Sequence, residues 1–512
     1  MLTMALLLLL GAVIAGAILA DRLMPRPTGQ PSHALPAEPD GTELDRALVQ
    51  VLAEHPEQTG AVLLNDGLDA FAARALVTRK AGRSLDLQYY MWHDDLCGRL
   101  LALEAWRAAE RGVRVRLLLD DMNAHGLDQQ MLALDGHPNV EVRLYNPFRH
   151  RTGIRRVLET VVRAFRVNHR MHNKAWIADG RVAIVGGRNI GVEYFDASGG
   201  KNFRDLDLLL MGPAVSGAAA IFDLYWNSSA VVPVNALGRK DLQRLPLLVR
   251  DIQQQTAGQD AQTYLARVHA SPGVETFLTQ ELRPFWSDRI EVVADPPQKW
   301  RDDDRRHWLV ERLAGTLDAT RTRALLISPY FVPGERGTDR LIGLVRKGAE
   351  VGVVTNSLAA NDVPAVHSGY ARYRKPLLSG GVKLYELRAQ GHTETAGLFG
   401  SSGASLHTKA FVVDGRLGFV GSFNLDPRSV ALNTEMGVLF DDAQLGTAVE
   451  DEYRRLAAPM LSYAVRLEPR GGLRWQDDAT QPPEVLDREP GATAGRRMVA
   501  RVLGWLPIES QL

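Results

Sequence analysis

The sequence predicts an α/β protein built from two similar halves that are related by pseudo-twofold symmetry. Two observations predict this duplication: a strand–helix–strand unit occurs twice, and a histidine motif follows each unit at matched spacing. The chain has 512 residues, of which 45% are hydrophobic and 23% charged. This composition is that of a globular protein, and the length accommodates two halves of ordinary domain size.

The repeated unit has the order of a βαβ motif. In the first half, an apolar strand, an amphipathic helix and a second strand are predicted at residues 84–90, 100–111 and 113–119. In the second half, the same three elements are predicted at residues 324–330, 339–347 and 351–354. Each half is therefore expected to fold as its own α/β layer.

A motif of polar residues follows each unit and repeats with a constant step along the chain. Its first-half members are His172, Lys174, Asp179 and Asn189, and its second-half members are His407, Lys409, Asp414 and Asn424. One phosphodiester reaction needs both a nucleophile and an acid, so a single site shared between the halves is the economical interpretation.

Each motif lies on a predicted β-hairpin, because apolar runs flank the pairs Asp179-Gly180 and Asp414-Gly415. Residues two apart on a strand share a face, so each histidine points to the same side as the lysine that follows it. This pairs a nucleophile with a cation that binds phosphate. The two aspartates fall at the turns, where turn geometry or a local hydrogen bond is the expected role rather than proton transfer.

A loop of small residues follows each hairpin and ends in the motif asparagine. Gly187 and Ser422 are expected to let backbone N–H groups approach phosphate oxygens, and Asn189 and Asn424 to add a neutral donor. These four residues are predicted to bind phosphate.

A carboxylate follows on the next strand of each half, where Asp205 aligns with Glu435. Such a group can hold the second nitrogen of an imidazole and fix its tautomer, as in a catalytic triad. Asp207 is the alternative partner in the first half. Three further histidines, His93, His169 and His367, are interpreted as surface or core residues. Of these, His169 and His367 are also candidates for lining the site.

The charge balance argues against a general affinity for nucleic acid, since 60 basic residues cancel 60 acidic ones. An anionic partner must therefore meet a local patch. Two basic stretches are candidates for contact with a lipid surface, although a solvated helix face is the commoner case. The first comprises Arg151, Arg155, Arg156, Arg163, Arg166 and Arg170. The second comprises Arg496, Arg497 and Arg501 with Met498, Val499, Val502, Leu503 and Trp505. Cys97 is the lone cysteine, which excludes an intramolecular disulfide.

The amino terminus begins with an almost wholly apolar run, Met1 to Ala20, which is just long enough to span a bilayer. No Lys or Arg precedes this run, so an uncleaved anchor is favoured over a secretory signal, and the side of the membrane stays open. The predicted organisation is an anchor or signal at 1–23, a Pro-rich linker at 24–45, a first half at 46–250, a connecting segment at 251–315, and a second half with a C-terminal tail at 316–512.

Both motifs match the signature H-x-K-x4-D-x6-G-[GS]-x-N, and the chain resembles the phospholipase D superfamily. Within it, several segments look like those of bacterial cardiolipin synthases of the C type; they are residues 85–92, 111–120, 185–196, 355–363 and 366–370. The resemblance implies duplicated α/β/α sandwich halves with mixed central sheets.

The resemblance also implies a phosphatidyl-histidine mechanism, with His172 as the nucleophile and His407 as the acid and base. Lys174, Lys409 and the two motif asparagines would stabilise charge on the phosphoryl oxygens, so no metal and no cofactor is expected. The implied donor is phosphatidylglycerol or phosphatidylethanolamine, and the acceptor is a second phosphatidylglycerol in a bacterial inner membrane.

Two rival functions remain open at this stage, and no protein partner is predicted. The first is hydrolysis by a phospholipase D or a nuclease of the same superfamily, because water can replace the acceptor alcohol. The second is a non-enzymatic scaffold that binds anionic lipid, against which two intact catalytic motifs argue.

Overall fold

The computed structural model describes most of the chain beyond the amino-terminal segment. The described residues are 29–124, 126–148, 150, 151, 153, 156, 159, 168–238, 243–273, 283–302, 304–389 and 405–512. They form two large mixed sheets with helices on their faces and between them. The duplicated α/β fold predicted from the sequence is confirmed.

The strands of the first half run in chain order through β1 to β10. They are β1 (Thr59–Leu64), β2 (Ser84–Tyr89), β3 (Arg114–Asp120), β4 (Val140–Tyr145), β5 (Ala175–Ala178), β6 (Val182–Gly186), β7 (Phe203–Arg204), β8 (Asp207–Met211), β9 (Val231–Pro233) and β10 (Phe285–Ser287). All except β7 belong to the first sheet, in the order β10-β1-β8-β6-β5-β2-β3-β4-β9.

The strands of the second half are β11 to β21. They are β11 (Ile290–Ala294), β12 (Arg323–Ile327), β13 (Glu350–Asn356), β14 (Lys383–Leu387), β15 (Ser405–Leu406), β16 (Ala410–Val413), β17 (Leu417–Gly421), β18 (Met436–Asp441), β19 (Ser462–Leu467), β20 (Leu473–Asp477) and β21 (Glu484–Leu486). All except β15 form the second sheet, in the order β11-β18-β17-β16-β12-β13-β14-β19-β20-β21.

The two strand orders show the pseudo-symmetry directly. The run β1-β8-β6-β5-β2-β3-β4-β9 of the first sheet matches β11-β18-β17-β16-β12-β13-β14-β19 of the second. In both runs the three strands β2, β3, β4 and their counterparts β12, β13, β14 are parallel, and the hairpin strands beside them are antiparallel. The sheets are therefore mixed, as the resemblance implied.

Helices cover both sheets. They are α1 (Glu43–Glu54), α2 (Gly67–Lys80), α3 (Leu96–Glu110), α4 (Asp128–Leu134), α5 (Pro213–Trp226), α6 (Arg244–Thr256), α7 (Gln259–His269), α8 (Leu309–Asp318), α9 (Gly334–Arg346), α10 (Pro364–Ala371), α11 (Arg374–Ser379), α12 (Pro427–Ala431), α13 (Ala443–Ala457) and α14 (Ala494–Leu503). Several begin at an aspartate whose carboxylate accepts from backbone N–H groups of the first turn, as Asp66 does for α2 and Asp442 for α13.

Side chains of the hairpin strands alternate between two hydrophobic cores. In the first half Trp176 packs into an outer core under α2 and α3, whereas Ile177 enters a central core. In the second half Phe411 packs outward and Val412 enters the same central core. The central core thus joins the inner faces of both sheets, with α5 and α13 between them.

Two predicted segments differ from the expected linkers. The segment 251–315 contributes β10 to the first sheet and β11 to the second, so the halves meet near residues 288–289. The described part of the Pro-rich segment lies on the body: Arg143 and Arg116 donate to the carbonyl oxygens of Gln30 and Ser32. An extended proline-rich backbone makes no internal hydrogen bonds, which leaves its carbonyls free for such donors.

The predicted membrane anchor at 1–23 lies outside the described residues. Among the residues that are described, no helix combines the length and the apolar character needed to cross a bilayer.

Candidate active site

The two halves meet through reciprocal strand contacts beside the motif histidines. Met171, which precedes His172, pairs in parallel with Thr434, which precedes Glu435. In the same way Leu406 of β15 pairs with Arg204 of β7. Each motif histidine is thereby placed next to the carboxylate of the other half.

His172 is paired with Glu435 across this interface. Its Nδ1 lies 2.8 Å from Oε2 of Glu435 and 3.1 Å from the carbonyl oxygen of Ser422. Both partners are acceptors, so Nδ1 carries the proton and Nε2 keeps its lone pair. Burial lowers the pKa of His172 to about 4 against the opposing effect of Glu435, so the imidazole is neutral near pH 7.

Glu435 is held by hydroxyl groups on both of its oxygens. Ser422 Oγ donates to Oε2 at 2.5 Å, and Ser429 Oγ donates to Oε1 at 2.7 Å. Burial opposes its charge, but His172, Lys174 and the Ser422 hydroxyl outweigh burial and bring the pKa of Glu435 to about 2. The group is a firmly ionised partner for His172.

His407 is paired with Asp205, with Nδ1 at 2.5 Å from Oδ2. The other carboxylate oxygen accepts from the backbone N–H of Leu206 at 2.8 Å. Burial raises the pKa of Asp205 above its usual range, although Lys409 and Arg188 oppose the shift. Burial and the two motif lysines hold the pKa of His407 well below its usual value.

Lys174 and Lys409 are buried beside the histidines. Lys174 Nζ donates to the carbonyl oxygen of His172 at 2.5 Å, and Lys409 Nζ donates to that of His407. Within the described part of the chain, no carboxylate is close enough to either ammonium to form an ion pair. Burial lowers the pKa of Lys409 to about 8 and that of Lys174 well below its usual range. An anion between the lysines would relieve this cost.

The motif asparagines are buried with unfilled hydrogen-bonding capacity. Asn189 Nδ2 donates to the hydroxyl of Tyr194 at 3.0 Å. Neither Asn189 Oδ1 nor Asn424 Oδ1 has a hydrogen-bond partner among the described residues. Buried polar atoms are rarely left unpaired in folded proteins, and an amide oxygen can only accept, so these two atoms suit a hydroxyl of a substrate, whereas contact with a phosphate oxygen requires the Nδ2 groups.

Gly187 and Ser422 differ from the prediction that they offer donors to phosphate. The N–H of Gly187 bonds to Leu206 O at 3.1 Å, and that of Ser422 bonds to Met436 O at 2.8 Å. A Cβ at position 187 would lie 2.2 Å from Asp205 Oδ1. The two positions therefore help to position the carboxylates. Gly187 lacks a side chain that would clash with Asp205, and the hydroxyl of Ser422 donates to Glu435.

Asp179 and Asp414 lie at the hairpin turns, away from the histidines. Both have positive φ, as do the glycines that follow them. Asp179 accepts from the backbone N–H groups of residues 82, 83 and 84, and Asp414 from those of residues 321, 322 and 323. These bonds tie each hairpin to the start of the neighbouring parallel strand, a structural arrangement.

Asp207, the alternative partner for a histidine, is instead paired with arginines. Its Oδ2 lies 2.8 Å from Arg74 and 3.3 Å from Arg188. Asp207 begins β8, whereas Asp205 lies before it, between β7 and β8, so the alternation of a single strand does not relate the two side chains. Of the two, only Asp205 reaches an imidazole. The sequence could not separate the two, because the choice depends on strand register.

The other histidines make contacts outside the two crossed pairs. His93 lies 3.2 Å from Glu193, and His169 stacks on Trp300. His367 is buried against Arg374 and Glu489. His93, Asp95 and Glu193 have ligand atoms close enough together for a metal ion, but Asp95 already caps α3.

The first basic stretch is only partly described, and its described members do not form a solvated patch. Arg151 is paired with Asp121 and Asp128. Arg170 is fully buried beside Asp120. Three other members of this basic stretch, Arg155, Arg163 and Arg166, lie outside the described residues.

Sequence reasoning missed several residues that shape the site. The ring of Tyr90 stacks edge-on against His172, and Tyr194 does the same against His407. Asp120, at the end of β3, accepts from the N–H of Met171 at 2.9 Å and so positions the backbone beside His172. A carboxylate at the carboxyl end of a parallel strand was the available signal. Ser429 gave no comparable signal.

Comparison with known proteins agrees with this geometry. Residues 78–206 and 313–457 match the family described as "Cardiolipin synthase, PLD-like domain", and these ranges cover more than half of the chain and both motifs. Cardiolipin synthase C of Escherichia coli K12 is 41% identical over 473 residues, which cover 91% of this chain and 99% of that protein.

Two further similarities extend the comparison. An uncharacterized protein of Helicobacter pylori J99 is 34% identical over 421 residues, covering 80% of this chain and 82% of that protein. The solved structure of phosphatidylserine synthase from Haemophilus influenzae Rd KW20 has a TM-score of 0.58 at 14% identity, covering 92% of this chain and 100% of the other, and shows the shared fold. The chain therefore belongs to the PLD-like domain family of cardiolipin synthases.

Proposed function

We propose that the chain is a phosphatidyltransferase that makes cardiolipin from phosphatidylglycerol and a second phospholipid, either phosphatidylethanolamine or phosphatidylglycerol. The observation that carries this proposal is the arrangement of two crossed histidine–carboxylate pairs around two buried lysines without carboxylate partners among the described residues. A phosphodiester is an anion that needs a nucleophile, an acid and nearby cations. The name of the Escherichia coli relative favours lipid over water as the acceptor.

In the first step, Nε2 of His172 attacks the phosphorus of the donor lipid. The bond from phosphorus to the headgroup oxygen breaks, and His407, in its protonated form, gives that oxygen a proton. The products are a phosphatidyl group on His172 and a free alcohol, which is glycerol or ethanolamine. The negative charge of the bound phosphodiester raises the proton affinity of His407, which burial and the lysines lower in the free site.

In the second step, the primary hydroxyl of a second phosphatidylglycerol attacks the same phosphorus. His407 takes the proton of that hydroxyl, the phosphorus–nitrogen bond to His172 breaks, and both histidines return to their starting states. Each step is an in-line attack that inverts the configuration at phosphorus. Two such steps suit two histidines that approach the phosphorus from the two halves of the chain. The product is cardiolipin.

Lys174 and Lys409 are proposed to bind the non-bridging oxygens of the phosphoryl group, and Asn189 and Asn424 to add hydrogen bonds. Fixed cations and amides of this kind stabilise the charge that develops in the transition state. In the proposal, no step requires a metal ion or a cofactor, and no nucleic acid or protein partner is needed. The enzyme is proposed to work in a bacterial cell membrane, where its lipid substrates are found.

The proposal is tested by following a labelled donor lipid in vesicles by mass spectrometry. With phosphatidylglycerol and phosphatidylethanolamine in one membrane, we expect cardiolipin as a product. A short alcohol added to the mixture should divert part of the phosphatidyl group to a new ester, because both acceptors react with the same intermediate. A preparation of the His172→Ala variant gives the background.

Other outcomes would redirect the proposal. Phosphatidic acid as the sole product in every lipid mixture would favour a hydrolase. Cleavage of nucleic acid without any lipid turnover would identify a nuclease. Lipid binding without turnover of either substrate would favour a scaffold.

A further inference from the structure

The C-terminal helix α14 presents an apolar row that no described part of the protein covers. Met498 and Val502 are four residues apart on α14 and so lie on the same side, and Trp505 follows in the turn after the helix, where its N–H bonds to the carbonyl oxygen of Val502. Their exposed fractions are 64%, 47% and 77%, and Leu506 beside them is also exposed. Large apolar side chains grouped in this way mark an interaction surface more often than scattered ones do.

The opposite side of α14 is fixed to the body. The Arg496 guanidinium is buried and donates to the carbonyl oxygens of Leu358, at 2.8 Å, and of Asn361. Ala500 is buried in a small core with Leu358 and Ala359. The helix is therefore held rigidly, and its exposed row cannot turn inward without breaking these buried contacts.

The charge of this segment has one sign. From Ala494 to Leu506 the sequence holds three arginines and no acidic residue. Arg496 is used internally, whereas Arg501 is exposed beside Val502 and Arg497 is half-buried. A tryptophan with apolar neighbours and adjacent arginines is the pattern of a helix that lies in the headgroup region of an anionic bilayer.

The position of the helix links this surface to the active site. Asn361, which accepts from Arg496, is followed by Asp362, whose charge acts on His407 and Lys409. Asp362 also accepts from the hydroxyl of Tyr330 at 2.9 Å. The helix that carries the exposed row is thus attached to the loop that borders the second half of the site.

The end of the chain makes a second link. The carbonyl oxygen of Leu512 accepts from the N–H of Arg428 at 2.7 Å. The guanidinium of Arg428 donates to the carbonyl oxygen of Asn168, four residues before His172. Both ends of the C-terminal segment are therefore tied to loops of the site.

We propose that Met498, Val502, Trp505 and Leu506, together with Arg501, form a docking surface for anionic phospholipid, which holds the catalytic body at the bilayer. We call this set the C-terminal docking surface. Its role in substrate supply rests on the proposed lipid substrates, whereas the contact with lipid does not. A surface that is separate from the amino-terminal segment would fix the orientation of the catalytic body on the membrane.

The single native cysteine makes a direct test possible, because Cys97 is fully buried and burial raises the pKa of its thiol. In the full-length protein, Met498→Cys can be labelled with an environment-sensitive fluorophore. Met460→Cys is the matched control, since Met460 is 69% exposed and is an apolar residue outside α14 and the residues that follow it. Both proteins are reconstituted in nanodiscs of phosphatidylcholine with and without phosphatidylglycerol.

We expect a blue shift and stronger emission at position 498 in discs that contain phosphatidylglycerol, and no such change at position 460. An equal response at both positions, or none at 498, would overturn the proposal. A response at 498 that is the same in pure phosphatidylcholine would refute the anionic preference. A response without any lipid would show that another part of the chain, or a second copy, covers the surface.

A kinetic measurement separates this inference from the proposed function. Trp505→Glu should lower turnover of phosphatidylglycerol in vesicles at least about tenfold, while transfer from a short-chain, monomeric phospholipid to a short alcohol stays at the wild-type rate. Absence of transfer in the wild-type protein would count against the proposed function alone. Equal losses on both substrates in the variant would count against the docking surface.

Discussion

The two histidine–carboxylate pairs of the site are alike in geometry but differ in how the carboxylate is supported. Glu435 receives a serine hydroxyl on each oxygen, and its pKa falls to about 2. Among the described residues, Asp205 receives one backbone N–H, that of Leu206, in addition to its histidine, and burial raises its pKa. At the position of Ser422 the first half has Gly187, which leaves room for Asp205 but offers no hydroxyl.

This difference in carboxylate support favours different catalytic roles for His172 and His407. A firmly ionised carboxylate stabilises the positive charge that His172 acquires when its Nε2 bonds to phosphorus. A carboxylate that ionises less readily gives less support to the protonated form of His407, which makes that form a stronger acid toward the leaving alcohol. The asymmetry supports His172 as the nucleophile, which the repeated motif by itself leaves open.

The largest expected effect is the loss of either histidine. His172→Ala and His407→Ala should each lower kcat by more than about 10³-fold, because one removes the bond-making atom and the other the proton donor. Turnover of a labelled phospholipid measures the loss, and near-UV circular dichroism checks the fold. A variant that folds normally and keeps more than about a tenth of the rate would contradict a shared site.

A substrate with a good leaving group separates the two roles. A phosphatidyl ester of p-nitrophenol needs little help from an acid, so it should release nitrophenol in a burst with His407→Ala but not with His172→Ala. The reverse result would exchange the roles of the two histidines.

The next effect concerns the carboxylates. Glu435→Gln and Asp205→Asn each place an amide against Nδ1–H, which disfavours the tautomer that the mechanism needs. We expect losses in kcat of roughly 10²- to 10⁴-fold. The loss should be about tenfold deeper for Glu435→Gln, because that residue holds its charge more firmly. Losses of equal size would remove the basis for dividing the roles in this way.

The serine hydroxyls should have a smaller effect. Ser429→Ala removes the hydrogen bond donated to Glu435 and the one accepted from the N–H of Asn424. The first, to a charged group, contributes about 1.5–3 kcal/mol and corresponds to roughly a 10- to 150-fold loss in kcat. Ser462→Ala is the matched control, since Ser462 of β19 is also buried but donates to the carbonyl oxygen of Leu456 in α13. Similar losses in both variants would indicate a general loss of stability.

The sequence predicted the members of each pair but not their crossing. Alignment of the halves identified Asp205 and Glu435. Alternation along a strand was expected to place His172 with Lys174, but β5 begins only at Ala175, after both residues. The crossing depends on contacts between residues far apart in the chain, such as Met171 with Thr434, and no local pattern encodes these.

Short-range rules predicted the Asp-Gly turns, because φ preferences act within the turn itself. They could not show that the N–H of Gly187 is occupied by Leu206, since that bond joins two strands of the sheet. The same limit applies to Ser429. Its hydroxyl reaches Glu435 from α12, where Asp426 caps the helix by accepting from the N–H of Ser429, and Glu435 lies beyond the end of that helix.

A pH profile tests whether the lysines act as charged groups. Burial lowers the pKa of Lys409 to about 8, so kcat/KM should fall as the pH rises through this value and the ammonium loses its proton. The rate constant is measured with a monomeric phospholipid from about pH 6 to about pH 10. Lys409→Arg should move this limb to higher pH, because a guanidinium stays charged. A profile that is flat across this range in the wild-type protein would contradict the lowered pKa.

The smallest expected effect on turnover comes from the turn aspartates, which also differ between the halves. Asp179 is fully buried, whereas Asp414 is half-buried at the surface. Asn suits the turn as well as Asp does, but its NH2 group cannot accept from the backbone. Asp179→Asn should therefore lower the free energy of unfolding by about 1–3 kcal/mol, and Asp414→Asn by less, because water reaches that carboxylate.

In both variants kcat should stay within about tenfold of the wild-type value, since the turns lie at the far ends of β5 and β16 from Lys174 and Lys409. Thermal unfolding in detergent and lipid turnover are measured on the same preparations. A loss of kcat as deep as that of His172→Ala, without a fall in the unfolding temperature, would show that the aspartates take part in the chemistry. A larger destabilisation by Asp414→Asn would mean that burial does not set the strength of these bonds.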